Sequence, residues 1–175
     1  MAYWINLYNA LTVDTVLNHY PVGSIRDISI SPGLFNRGPW DRKLVTVEGQ
    51  ALNLNDIEHR ILRPIWHDPR IHYAVNCASL GCPNLANTAY DGSHLDAMLD
   101  AAARAYVNNP RGAAVHDGKL TVSSIYRWYE ADFGSTDAGV IAHLKRYAEP
   151  PLAAALNGIS AIADDHYDWR LNDAR

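Results

Sequence analysis

The sequence predicts a single α+β domain, with helices packed on a small, mainly antiparallel sheet. Three observations carry that reading. The chain has 175 residues, the size of one domain with a sizeable hydrophobic core. Helical and strand-like segments follow one another in irregular order, not as repeating βα units. No internal repeat or low-complexity linker divides the chain, so residues 1–175 are read as one unit.

The elements follow in order. Residues 3–19 read as a helix ended by Pro21 and Gly23. Apolar residues on nearly every side of it (Trp4, Ile5, Leu7, Tyr8, Leu11, Val13, Val16) predict burial on most faces. Its pattern is already running at Tyr3 and Trp4 with no capping residue in front, so further helical sequence upstream is expected. Residues 22–49 are rich in Gly, Pro and Arg, with "KLVTV" at 43–47 as a strand. "NLNDIEHRILRP" predicts a short helix capped by Asn55, with Glu58 at the third position of a capping box and Pro64 closing it.

Residues 71–77 alternate as a strand, and 93–107 form a helix between "YDGS" and "NNPRG". "AAVHDGKLTV" is a hairpin turning at Asp117-Gly118. "SSIYRWYEADFG" is a helix stopped by Gly134, and 138–148 is another. Residues 149–175 are mixed, and their "YDWRLN" closes the fold with Trp169 buried and Asp168 capping or paired.

Composition narrows the function classes. Net charge is −4, with eight histidines and no basic stripe, which argues against a nucleic-acid partner. No apolar run approaches the ~18–20 residues of a membrane span. The first twenty residues lack a basic start and a small-residue cleavage site, so they read as a folded helix and not a leader. The chain as given reads as cytoplasmic by default; export stays open if a signal lies upstream. Oligomeric state is not legible.

The chemistry concentrates in "RIHYAVNCASLGCPNL", which holds both cysteines, Cys77 and Cys82. Cys77 ends the predicted strand and opens into a small-residue turn, a common setting for a reactive group. A buried structural cysteine is an equal reading of the residues alone. Cys82 precedes Pro83 and is the weaker candidate. A disulfide between them is disfavoured in a reducing compartment. Without a Cys-x-x-Cys or His-x-x-x-His spacing, no metal and no cofactor are expected.

For a base, strand alternation puts His72 on the face opposite Cys77, so His59 on the preceding helix is preferred. Glu58 either completes the helix cap or acts at the site, although adjacent helical residues point ~100° apart. Asn6 and Asn9 share a face of an apolar helix. They either tie neighbouring backbone or serve as oxyanion donors.

Taken together, "WINLYNALT", "DIEHRILRP", "RIHYAVNCASLGCPNL" and "YDWRLN" resemble, in order, the signature segments of domain of unknown function 547. The resemblance runs over essentially the whole chain. It implies a cysteine-peptidase-like, papain/transglutaminase-like α+β fold with a Cys–His–Glu set. By motif, the cysteine of "NCAS" is Cys77, and the pair in "IEH" is Glu58 and His59. The family pattern replaces the proline-preceding cysteine in some branches, which leaves Cys77, not Cys82, as nucleophile.

The expected function is cysteine-dependent hydrolysis or acyl transfer at a peptide or γ-glutamyl amide. Cys77 would attack, His59 would move the proton and Glu58 would orient it. Backbone at Ala78 and Ser79, with Asn6 or Asn9, would hold the oxyanion. The alternative is a non-catalytic module holding a peptide, small amide or thiol ligand in the groove around Cys77.

Overall fold

The computed structural model describes residues 1–33 and 37–173. It begins with α1 (Ala2–Asn18), which buries one stripe, Ile5, Tyr8, Asn9, Thr12, Thr15 and Val16. Those positions follow the helical period and face the core. The expected burial on most faces does not occur. Tyr3, Val13 and Leu17 stand out in solvent, Leu17 at 68% exposure.

A hairpin follows, β1 (Val45–Val47) and β2 (Gln50–Leu52), turned by Glu48 and Gly49, both at positive φ. The chain then enters a continuous helix over 54–66. Asp56–Leu62 is wound as π-helix, and α2 (Arg63–Trp66) is α-helical. Its cap lies two residues before the expected one. Asn53 Oδ1 accepts from the Asp56 N–H at 2.7 Å, and Asp56 Oδ2 accepts from the Asn53 N–H at 3.1 Å. This is a capping box built on Asn53 and Asp56, with Lys43 and Arg60 paired to the same carboxylate. Asn55 instead donates to Asp41 at 2.7 Å, and Glu58 is released from capping. Nor does Pro64 close the helix. It sits within the continuous helix, just past its π-wound stretch.

The predicted strand at 71–77 is a second departure. Ile71–Ala74 is a helical turn, α3, and only from Val75 is the chain extended. Asp68 opens the turn by accepting from the Arg70 N–H at 2.9 Å, and Pro69 occupies the first turn. An Asp-Pro pair is a helix-start signal that outweighs the apparent alternation. The burial pattern agrees. Ile71, Ala74 and Val75 enter the cluster beneath α1 with Ile5, Leu54, Ile57 and Leu62, whereas Tyr73 enters the other large cluster. Spacing of i, i+3, i+4 is helical.

The second cluster lies around α4 (Leu95–Val107), α6 (Asp137–Tyr147) and a three-stranded sheet. Here β3 (Ala113–His116) pairs antiparallel with β4 (Lys119–Ser123) through the expected Asp117-Gly118 turn. The last strand, β5 (Ile162–His166), runs parallel to β4 in the order β3-β4-β5. Between them α5 (Ile125–Trp128) leads into a 3₁₀ turn (Glu130–Phe133) stopped by Gly134, and α7 (Pro150–Ala155) precedes β5. The architecture is α+β, with small sheets that are antiparallel except for the β4–β5 pair. Among the described residues, no helix is long and apolar enough to cross a membrane.

Two features of this arrangement position the site. The parallel strands end side by side, Ser123 against His166. They therefore deliver α5 and the segment after β5 to the same end of the sheet. That segment, Tyr167–Asn172, then runs along the loop after Cys77. Leu80 N–H donates to Arg170 O, and Gly81 N–H to Asp168 O, both at 2.8 Å; Asn172 N–H donates to Ala78 O at 2.9 Å. Trp169 is half-buried there with Arg26 over its ring at 5.1 Å, and Asp168 pairs with Arg170.

Candidate functional site

A cavity of about 220 Å³ opens where these pieces meet. Tyr8, Trp40, Trp128, Tyr129 and Trp169 supply its aromatic wall, and Glu58, His72, Cys77, Cys82 and Tyr167 its reactive or polar groups. Few polar groups set in an apolar concavity are the usual composition of a small-molecule or substrate site.

Cys77 is half-buried and free, and Cys82 is free and buried. The Cys77 sulfur lies 2.8 Å from Tyr167 Oη, 3.3 Å from Ser79 Oγ and 3.0 Å from the Cys82 sulfur. Ser79 Oγ–H donates to Tyr167 Oη at 2.8 Å, so the Tyr167 O–H is turned toward Cys77. Chained donors of this kind reinforce one another. Hydrogen bonding with Cys82, then with Ser79 and Tyr167, outweighs burial and holds the Cys77 thiol below its ordinary value. Burial, joined by the neighbouring Cys77, pushes the Cys82 thiol up. Burial also pushes the Tyr167 phenol up, which keeps it a donor. The two cysteines thus occupy unlike electrostatic surroundings.

The backbone at Cys77 is held firmly. Ala78 stands at φ 58°, a conformation a non-glycine residue adopts only when its surroundings impose it. Asn76 Oδ1 accepts from the Ala78 N–H at 2.7 Å, and Asn76 Nδ2 donates to Pro83 O at 2.7 Å. Asn9 reaches across from α1, donating to Ala74 O at 2.9 Å and accepting from the Asn76 N–H at 2.8 Å. Asn6 does the same for Tyr90, at 2.9 and 2.8 Å. Both amides are spent on backbone, and neither lines the cavity. Of the two readings of these amides, the ties to neighbouring backbone are what the structure displays. The Ala78 N–H is likewise taken by Asn76. Backbone hydrogen bonding from Ser79 is among the causes that lower the Cys77 thiol.

The histidine expected as base lies elsewhere. Glu58 faces inward, its side chain 6% exposed, so its neighbour His59 turns outward into solvent and meets Arg63 Nη1 at 3.2 Å. His59 is not among the residues lining the cavity. His72 is. Its exclusion rested on strand alternation, and α3 is helical. The His72 ring stacks on Tyr129 at 4.0 Å. Its Nε2–H donates to Asp132 Oδ2 at 2.7 Å, and Nδ1 lies 3.7 Å from Glu58 Oε1.

Arg63 clamps Asp132 from behind with two hydrogen bonds, 2.6 and 3.0 Å. Burial alone would raise the Asp132 carboxyl, but the hydrogen bonds from His72 and Arg63 prevail and hold it well below the usual carboxylate range. A lowered carboxyl stabilises the fold above its unfolded value of ~4 and loses that contribution as pH falls through the folded value. Asp132→Asn is therefore expected to flatten the acid limb of the stability–pH curve below about pH 4, read by denaturant unfolding at stepped pH.

Among the described residues, no imidazole lies within hydrogen-bond distance of the Cys77 sulfur. Nor do three His, Cys, Asp or Glu side chains gather so as to hold a metal ion. The arrangement places a thiol held below its ordinary value, a carboxylate-oriented imidazole and a second carboxylate around one aromatic cavity. His72, Asp132, Tyr129, Tyr8 and Tyr167 are its members beyond sequence reasoning. Only His72 had a local signal, in Asp68-Pro69.

Comparison with curated proteins found no match, and comparison with solved structures found none either. A family model described as "Protein of unknown function, DUF547" matches residues 1–107, which include Glu58, His72, Cys77 and Cys82. With more than half its length matched, the chain belongs to the DUF547 family of proteins of unknown function.

Proposed function

We propose that the protein is a cysteine-dependent hydrolase or acyltransferase acting on a peptide or γ-glutamyl amide. The observation that carries this reading is the convergence on one cavity of the Cys77 sulfur, with donors gathered on it, and the His72 imidazole, oriented by Asp132. A lowered thiol value supplies thiolate near neutral pH without an adjacent base. The thiolate attacks the amide carbon and the C–N bond breaks. The leaving nitrogen takes a proton from His72, leaving a thioester on Cys77. Water, or an acceptor amine, then gives a proton back to His72 as it attacks the thioester and frees the thiolate.

Asp132 holds the ring through Nε2, which leaves Nδ1 toward Glu58 and the cavity. Tyr8, kept protonated by burial and by the nearby Glu58 charge, is the hydroxyl that supports an oxyanion role best. In this assignment His72 takes the place given to His59 by motif, and Glu58 stays at the site as a charged wall. The papain/transglutaminase-like relationship rests on the same Cys–His–carboxylate grouping.

The test is to offer fluorogenic peptide and γ-glutamyl amides and to trap the acylated protein in acid. A substrate-dependent acyl mass on Cys77, lost in Cys77→Ser, is the expected result. A different outcome, with no turnover of any amide and ligand binding undisturbed by Cys77→Ser, favours the binding module. The reach between Cys77 and the nearest imidazole is the feature that keeps that second reading in view.

A further inference from the structure

We infer that Cys77 and Cys82 together form a thiol–disulfide exchange site that takes low-molecular-weight disulfides of the glutathione disulfide class. The inference does not depend on the acyl-transfer reading. It starts from two free sulfurs 3.0 Å apart, both on the wall of the cavity. A disulfide bond is ~2.05 Å long, so closing it asks for a movement of about 1 Å.

The loop between them is already folded back on itself. Cys82 N–H donates to Ser79 O at 3.0 Å, and the Cys77 N–H donates to the Cys82 sulfur at 2.9 Å. Leu80 and Gly81 are fastened to Arg170 and Asp168 on its far side. The sulfurs are therefore held together by the fold and not by a bond between them, and little further ordering is needed to join them.

The pair is also asymmetric in the way that exchange requires. Cys77 is half-buried, with the Tyr167 hydroxyl on its sulfur and Ser79 Oγ 3.3 Å away, whereas Cys82 is only 2% exposed. An external disulfide can reach the first and not the second. The attacking group is the thiolate, and the resolving group needs only its neighbour.

The steps balance. Cys77 thiolate attacks one sulfur of RSSR, its S–S bond breaks, and RS⁻ leaves as Cys77–S–S–R forms. Cys82 gives its proton to the departing thiolate and attacks the Cys77 sulfur. A Cys77–Cys82 disulfide forms, and the second RS⁻ leaves and takes up a solvent proton. Two protein thiols are oxidised, and one external disulfide is reduced to two thiols. The Cys77 N–H, already on the Cys82 sulfur, steadies the charge that develops there before attack.

The experiment is to incubate the intact chain with glutathione disulfide, quench with acid and weigh it. The expected product is lighter by two hydrogens, carries no glutathione and yields a Cys77–Cys82 cross-linked peptide; dithiothreitol restores both thiols to alkylation. Cys82→Ser and Cys82→Ala are each expected to stop at a Cys77–glutathione adduct that outlives the wild-type one by at least about tenfold, because the resolving thiol is gone. A long-lived adduct on the wild type, with Cys82 still free to be alkylated after unfolding, would overturn the inference. So would no reaction at either sulfur. Because the reading is a mass on the wild-type chain, it stands whether or not any amide is turned over.

Discussion

His72→Ala is expected to lower turnover of whichever amide acylates Cys77 by ~10²–10⁴-fold, the range for losing a positioned general acid–base. His59→Ala is expected to leave it unchanged. The contrast follows from the helix geometry around Glu58. Adjacent residues diverge, and the buried face belongs to Glu58, so His59 turns to solvent, meeting Arg63 and the Tyr129 ring at 6.0 Å from outside the cavity lining. His72 is fixed on three sides, by Asp132 at 2.7 Å, by the Tyr129 ring at 4.0 Å and by Phe133 at 5.5 Å. Removing it also disturbs packing, so His72→Gln, which retains a donor toward Asp132, separates the two effects. It should recover stability but not turnover. Single-turnover acylation measured on the three variants checks this.

Gly81→Ala carries the second large effect. An added Cβ would stand 2.8 Å from the Asp168 nitrogen and 3.0 Å from two carbons of the Tyr167 ring. Neither side can give easily. The Gly81 N–H donates to Asp168 O at 2.8 Å, and its carbonyl accepts from Tyr106 Oη at 2.6 Å. Overpacking of this kind costs ~1–3 kcal/mol. It also has a chemical consequence, because the ring that must move carries the hydroxyl on Cys77. The Cys77 thiol should return toward its ordinary value as that donor withdraws. Gly92→Ala is the control, since a Cβ there meets nothing within 4 Å. Denaturant midpoints and alkylation rates on both variants read the two consequences separately.

Much of the fold was legible because its signals are local. The α1 and α6 helices, the α4 helix between its flanking turns and the Asp117-Gly118 hairpin follow from periodicity and turn chemistry within a dozen residues. Where reading failed, two local signals competed. Residues 71–77 alternate like a strand, yet Asp68-Pro69 starts a helical turn there, and tertiary burial of Ile71, Ala74 and Val75 on one side settles the contest. Asn55 was the expected cap, but the capping box forms on Asn53, whose reciprocating carboxylate is Asp56.

The site was legible only in part, for a different reason. Cys77 and Glu58 stand in recognisable segments, but the groups that set their chemistry come from far along the chain. Asp132 lies 60 residues from His72, and Tyr167 lies 90 from Cys77. They arrive through the parallel β4–β5 pairing, which no local pattern announces. The Asn6 and Asn9 amides illustrate the converse. Their spacing suited a polar pocket, but buried backbone at Tyr90, Ala74 and Asn76 had the prior need of partners.

The central claim is that Cys77 is an activated thiol and Cys82 is not. The most direct measurement is the iodoacetamide rate at each cysteine as a function of pH, resolved by peptide mass. Cys77 should react faster throughout, with a midpoint below the ~8.5 of a free thiol, and Cys82 should lag until the chain unfolds. Slow and equal labelling of both, with midpoints at or above the free-thiol value, would contradict the account.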